Sequence, residues 1–172
     1  MSRARRDPAE PPLADPAAAR EAALRLLERT RRTRADLARR LRDKGYAPAT
    51  VTAVLDRLAE VGLVDDVEFA RAYLAGRWGR RPAGWRRLQQ ELRVKGVAEA
   101  DVAAARARIE AREGAVDELG TARKLAEQAR PRYARLEPRA REQRLYALLA
   151  RRGFDADVIR RALAIPDDAA EE

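Results

Sequence analysis

Arginine is the residue through which this sequence can do its chemistry. The guanidinium is permanently charged and presents a planar fork of donors that fits phosphate and carboxylate alike. The chain carries 37 Lys and Arg against 28 Asp and Glu, a net charge of +9. The excess is gathered in three stretches. The first holds Arg29, Arg31, Arg32, Arg34, Arg39, Arg40 and Arg42, and the second Arg80, Arg81, Arg86, Arg87 and Arg93. The third holds Arg130, Arg132, Arg135, Arg139, Arg141, Arg144, Arg151 and Arg152. Acids concentrate elsewhere, at Asp56, Glu60, Asp65, Asp66 and Glu68 and again from Glu99 to Glu118. Such clusters suit a long anionic partner, and they do not tell a nucleic-acid backbone from an acidic protein surface.

Bond-making chemistry has few candidates. The sequence has no His and no Cys, its only serine is Ser2, and none of its nine glycines belongs to a Gly-x4-Gly-Lys-(Ser/Thr) phosphate loop. Asp65, Asp66 and Glu68 are able to hold a divalent ion, but three acids at a helix start are first a cap and a complement to the helix dipole. The reading is therefore a binding protein and not an enzyme, with no cofactor and no metal. Absence of cysteine fits a cytoplasmic protein. No run is long and apolar enough to span a bilayer. Residues 1–16 are charged and Pro-rich without the apolar core of a secretory signal, and read as a disordered arm.

The elements that must position the arginines are legible from an internal repeat. Leu-x3-Leu-x2-(Lys/Arg)-Gly recurs as Leu37, Leu41, Lys44, Gly45, then Leu88, Leu92, Lys95, Gly96, then Leu145, Leu149, Arg152, Gly153. Leucines four apart share a helical face, and a Gly just beyond takes the left-handed conformation that ends a helix. If Gly45 is C′, Tyr46 meets Leu41 in a Schellman cap, and Val97 with Leu92 and Phe154 with Leu149 follow by the same count. A second apolar stripe follows each Gly: Val51, Val54, Leu55, Leu58, then Val102, Ala105, Ile109, then Ile159, Ala162, Leu163. A further helix precedes each copy, with inner faces Ala23, Leu24, Leu27, then Phe69, Ala70, Tyr73, Leu74, then Leu119, Ala122, Ala126, Ala129.

The fold class is thus all-α: an elongated tandem array of three three-helix modules, nine helices in all. The expected division is a disordered arm over 1–16, modules over 17–62, 63–113 and 114–165, and an acidic tail over 166–172. Thr33 with Asp36 has capping-box spacing, Pro48 suits N1, and Gly62 suits another helix end. Modules of roughly 50 residues bury little apolar surface each, so they must lean on their neighbours, with modest stability and movement between them. The basic helix is the middle one of every module.

In this order and spacing the motifs resemble the RecX family of bacterial regulatory proteins. The similarity runs from about residue 17 to 164. Its most specific part is Leu58-x3-Gly62-Leu63-Val64-Asp65-Asp66-x2-Phe69-Ala70-x2-Tyr73-x3-Arg77, followed by Gly84-x3-Leu88-x2-Glu91-Leu92-x2-Lys95-Gly96-Val97. Leu145-x3-Leu149-x2-Arg152-Gly153-Phe154-x4-Ile159-x3-Leu163 completes it. Trp85 departs from the pattern, in which Pro or another residue often follows the Gly. The resemblance implies tandem three-helix repeats that bind the RecA filament on single-stranded DNA, lie along its groove, and suppress ATP hydrolysis, strand exchange and coprotease activity. It implies no catalytic residue, and the protein is expected to act as a monomer.

On that reading Arg80, Arg81, Arg86 and Arg87 are the expected contacts of the middle module. Arg31, Arg32, Arg34, Arg151 and Arg152 are the outer ones. Trp85, flanked by Arg86 and Arg87, either stacks on a base or fills a partner pocket, or else covers the junction with the preceding helix near Trp78. The competing class is a stand-alone nucleic-acid-binding module with a basic helix in a DNA groove. No module shows the set of Asn, Gln and Arg at a helix start that reads bases. A purely structural adaptor is third, and would show no salt-dependent binding.

Overall fold

Among the residues described by the computed structural model, 13–80 and 82–164 without the side chains of 78–80, nine α-helices and one short 3-10 turn make up the fold. They are α1 (Pro16–Arg29), α2 (Arg34–Asp43), α3 (Pro48–Glu60), α4 (Asp66–Arg80), α5 (Trp85–Val94) and α6 (Glu99–Glu113). After these come α7 (Glu118–Ala129), the 3-10 turn (Arg130–Tyr133), α8 (Pro138–Arg151) and α9 (Ala156–Leu163).

Each repeated Gly closes a Schellman cap. Gly45 has φ 90°, Gly96 φ 80° and Gly153 φ 85°. The N–H of Tyr46 donates to Leu41 O (3.2 Å), that of Val97 to Leu92 O (3.1 Å) and that of Phe154 to Leu149 O (3.3 Å). The glycine N–H groups satisfy the carbonyls of Arg42, Arg93 and Ala150, so the orphan acceptors of three helix ends are paired by one device. Gly62 repeats it at the end of α3, where Leu63 N–H donates to Leu58 O (2.9 Å).

The modules have separate cores. Leu37, Leu41, Val51, Val54, Leu55 and Leu58 fill the first, with Ala19, Ala22 and Ala23 of α1. Ala70, Leu74, Leu88, Leu92, Val97, Val102 and Ile109 fill the second, and Ala122, Ala126, Leu149, Phe154 and Ile159 the third. Leu24, Leu27, Phe69 and Tyr73 pack only at the edges of these cores. Small alanines carry the buried faces of α1 and α7: Ala19, Ala22 and Ala23, and Ala122, Ala126 and Ala129. The extensive helix contacts all fall within modules, so the array is strung out and not folded back on itself.

One feature differs from the sequence expectation. Leu13 lies within the expected arm, yet its N–H donates to Gly45 O (2.8 Å) and its carbonyl accepts from Ala47 N–H (2.9 Å). Asp15 caps α1 by accepting from the N–H groups of Ala17 and Ala18 (2.9 and 3.1 Å). The reason is local: an Asp before a Pro at N1 is a strong helix start. Residues 1–12 and the acidic tail lie outside the described residues, apart from the tail's approach at Ala164.

The modules meet at two joints of a single design. At the first joint the Thr33 hydroxyl donates to Lys95 O (2.7 Å) and the Arg34 N–H to Asp66 Oδ1 (2.9 Å). At the second the Gly84 N–H donates to Arg152 O (2.9 Å) and the Trp85 N–H to Glu118 Oε1 (2.8 Å). In each, the start of one middle helix meets the Gly loop of the next module and an acid from the first turn of its first helix. A carboxylate there answers both an orphan N–H and the helix dipole. Burial pushes the Asp66 carboxyl above the ordinary carboxylate range, and the Arg34 N–H opposes it. In α8 the position twelve before the repeated Gly is Arg141, inside a helix that starts at Pro138, so no third start of this kind exists.

Candidate functional site

The arginines of the middle helices converge on two grooves, one at each joint. The first, about 630 Å³, is lined by Arg31, Arg32, Asp36, Arg39, Arg40 and Arg42 of module one with Val94, Lys95 and Gly96 of module two. The second, about 840 Å³, is lined by Arg86, Arg87, Gln89, Gln90 and Arg93 on α5, by Val97, Ala98, Glu99 and Val102, and by Ala150 and Gly153. A groove beside each docked Gly loop follows from the repeated joint, because the loop forms one wall wherever it meets a middle helix.

One carboxylate organises the first groove. Asp36 accepts from Arg32 (2.8 Å), Arg39 (2.5 Å) and Arg40 (2.8 Å), while its own N–H donates to the Thr33 hydroxyl (3.1 Å). Burial pushes the Asp36 carboxyl up, but the bonds from Arg40, Arg32 and Arg39 outweigh it and hold it at about 2. Three guanidiniums around one carboxylate leave a positive surplus with a fixed arrangement, which is what a phosphate or carboxylate partner needs. Arg42 and Arg93 sit three residues before their repeated Gly, both are exposed, and neither makes an ion pair among the described residues.

The expected contact residues divide into outward-facing and structural groups. Arg86 is exposed, 3.5 Å from Asp155, and Arg151 is exposed and makes no ion pair among the described residues. Arg31 reaches across the first joint to Glu68 (3.1 Å), and Arg34 holds Asp56 (2.6 Å). Arg32, only 16% exposed, bonds to Leu26 O and Asp36, so it braces its module. Arg87 donates to Glu91 (3.0 Å) and to Arg151 O (3.2 Å), and Arg152 donates to Pro82 O (3.3 Å), so both are joint residues with part of their charge still exposed. Arg80 ends α4 with its side chain outside the description, and Arg81 lies outside the described residues.

Trp85 covers a junction, the one with the following module. Its ring packs against the second core under the Arg106 guanidinium, 4.5 Å from the ring centroid, beside a crevice shared with Val116, Glu118 and Thr121. Sequence reading named Arg39, Arg40, Arg42 and Arg93 only as members of basic helices. The signal for the first two was present: Asp36 lies at helical spacing from Arg32, Arg39 and Arg40.

Three family models describing the first, second and third three-helix domains of RecX match residues 19–58, 65–105 and 116–163. "Regulatory protein RecX" of Halorhodospira halophila is 40% identical over 88% of this chain and 89% of its own length. The chain belongs to the RecX family. Relatives of the same name include that of Thermobifida fusca, 41% identical over 81% of this chain and 74% of its own. A crystal structure of RecX from Lactobacillus salivarius has the same fold, with a TM-score of 0.78 at 20% identity over 87% of this chain and 94% of that one. These relatives are named regulatory proteins, and among the described residues no helix of this RecX-family chain is long and apolar enough to cross a membrane.

A second carboxylate hub in this RecX-family protein supports the second groove. Glu91 accepts from Arg77 (2.7 Å), Arg87 (3.0 Å) and the Tyr73 hydroxyl (2.7 Å), tying α4 to α5. The Arg77 guanidinium, helped by Tyr73 and Arg87 and opposed by burial, holds its carboxyl at about 2, against an ordinary 4.5. A depressed folded value contributes stability above pH 4.5 that is lost as pH falls through about 2. Glu91→Gln is expected to cost about 1–2 kcal/mol at neutral pH, the ion pairs being discounted for solvent screening. The parent should also lose more stability than the variant between pH 5 and pH 3. Urea unfolding at the two pH values checks this, and equal losses in parent and variant would remove Glu91 as a hub.

Proposed function

We propose that this protein binds the RecA filament on single-stranded DNA and inhibits its ATPase, strand exchange and coprotease activities, so regulating recombination, repair and the SOS response. The observation that carries the reading is the pair of arginine grooves set one per joint, in an array of modules related to proteins named Regulatory protein RecX. A filament repeats its surface along its length, and a ligand with repeated contacts at fixed spacing engages it through several weak sites at once. Linking those sites raises the effective concentration of each. Bridging holds successive protomers in a spacing poor for hydrolysis or for adding the next subunit.

The alternative of a groove-reading DNA-binding module is disfavoured by the joints. A recognition helix presents its N-terminal residues to base edges. Here the starts of α2 and α5 are bonded to Asp66 and Glu118 of the following modules. The decisive experiment follows ATP hydrolysis by preassembled cognate RecA filaments on single-stranded DNA, with the protein added well below the RecA concentration and naked-DNA binding in parallel. Inhibition at concentrations too low to sequester the DNA supports a filament regulator. Tight DNA binding with undiminished hydrolysis would overturn it in favour of the nucleic-acid module.

A further inference from the structure

The two grooves share a wall. Val94, Lys95 and Gly96 border the first, while Arg93 and Val97 border the second, so only the last turn of α5 and its Gly loop stand between them. The residues of α5 join the grooves in the same way. Arg86, Gln90 and Arg93 are spaced by four and three residues, which stacks them along one side of the helix inside the second groove. Val94 lies one turn beyond Gln90 and already borders the first groove. It is 77% exposed, an apolar side chain at the crest between two cationic hollows.

Exposed charge stands on both sides of this crest. Arg42 on α2 and Arg93 on α5 hold the same repeat position, three before the Gly, and neither has an ion pair among the described residues. Arg86 is exposed as well, 3.5 Å from Asp155. Each groove sets one acid against its cations, Asp36 in the first and Glu99 in the second. In module three the position of Arg42 and Arg93 is taken by Ala150, and that of Arg39 and Gln90 by Ala147, so the file of cations starts on α2 and stops at the second joint. Between the cations the walls are neutral, with Phe69 and Val94 in the first groove and Gln89 and Gln90 in the second. Charge alternating with apolar and amide surface fits a single-stranded nucleic acid, which presents a phosphate and then a sugar and a base. A run of acidic side chains supplies charge alone.

We infer that the two grooves are one track, and that one nucleic-acid strand runs from Arg42 over the Val94 crest to Arg93 and Arg86. Its role rests on the proposed function, since the strand is then that of the RecA filament; the binding itself needs no RecA. Arg86 and Arg93 are about 10.5 Å apart along α5, so the whole track takes several nucleotides, within the range of about 4 to 16 held by single-strand sites. Each groove holds few phosphates and binds weakly alone. Joined, each raises the effective concentration of the strand at the other. The track ends at the second joint, so module three lies off the strand.

Titration of the full chain with a fluorescein-labelled oligothymidylate of about 16 nucleotides, at low salt and without RecA, tests the track. One strand per chain is expected at saturation. Arg42→Glu and Arg93→Glu should each weaken that strand by about threefold to tenfold and lower the salt slope by about 1, with the stoichiometry unchanged. Two strands per chain, or a loss from only one of the two substitutions, overturns the track. The crest gives a second readout. Val94→Glu removes no cation, yet it should weaken the strand by a similar factor because the strand must pass over it. Val61→Glu is the matched control, the same change at a valine 54% exposed outside both grooves, and should cost less than about twofold. Unchanged affinity in Val94→Glu, or equal losses at the two valines, overturns the crossing. The filament assay separates this track from the proposed function. A chain that binds no strand yet inhibits ATP hydrolysis overturns the track and leaves an acidic filament face as the occupant of the grooves. A chain that binds the strand as expected without inhibiting leaves the track standing and overturns the proposed function.

Discussion

Gly84→Ala is expected to separate the third module from the second and to cost about 1–3 kcal/mol, the range for forcing an extra carbon into a packed contact. Gly84 has φ −69° and ψ 159°, which alanine adopts without strain, so the cost comes wholly from what the new methyl meets. A Cβ there would fall well inside 3.0 Å of Gly153 O, Gly153 C and Phe154 N. All three are backbone atoms of the docking loop, and none can swing aside as a side-chain end does. Gly76→Ala is the matched control. It lies within α4 with nothing within 4 Å of an added Cβ, and there alanine should stabilise by about 1 kcal/mol. Denaturation followed by tryptophan emission in a Trp78→Phe background, which leaves Trp85 with its backbone N–H bonded across this joint, should show the Gly84 variant unfolding earlier or in two steps. A variant as stable as the parent, with one shared transition, would mean that the joint is not packed in this way.

Arg42→Glu combined with Arg93→Glu is expected to weaken binding to single-stranded DNA or its filament by tenfold or more at low salt. Two phosphate-type contacts are replaced by repulsion, worth about 1–3 kcal/mol together. The slope of log affinity against log salt should fall by about 2. The pair is chosen because both side chains line the grooves, one per joint, and neither braces the fold. Helix content and thermal stability should therefore be unchanged, which separates a contact effect from unfolding. Reversing Arg32 or Arg87 instead would confound the two, since each is bonded to its own scaffold. Unaltered affinity and salt slope in the double variant would place the contact face elsewhere on the array.

Much of this molecule is written in local spacing. Each signal of the repeat, from the leucines to the Gly and on to the apolar stripe beyond it, lies within about two helical turns of the next, so period and cap chemistry alone locate the helices and their buried faces. Leu37, Leu41, Leu88, Leu92 and Leu149 are fully buried, and the three repeated glycines have positive φ, as that spacing requires. The excess of arginine on the middle helices was equally plain in the sequence.

What the tertiary structure alone decided is which of those arginines stay exposed and which brace the joints. Thr33 meets Lys95, Trp85 meets Glu118, and Arg87 meets Arg151, across separations of 62, 33 and 64 residues. No helical period connects residues so far apart. Their pairing depends on how one module seats its Gly loop on the next, and that seating turns Arg87 and Arg152 into joint residues, Trp85 into a cover, and Arg42 and Arg93 into exposed charge. The sequence determined the modules because capping and burial act within a few turns; the structure decided which arginines brace the joints and which stay exposed because steric fit between modules acts only once they have folded.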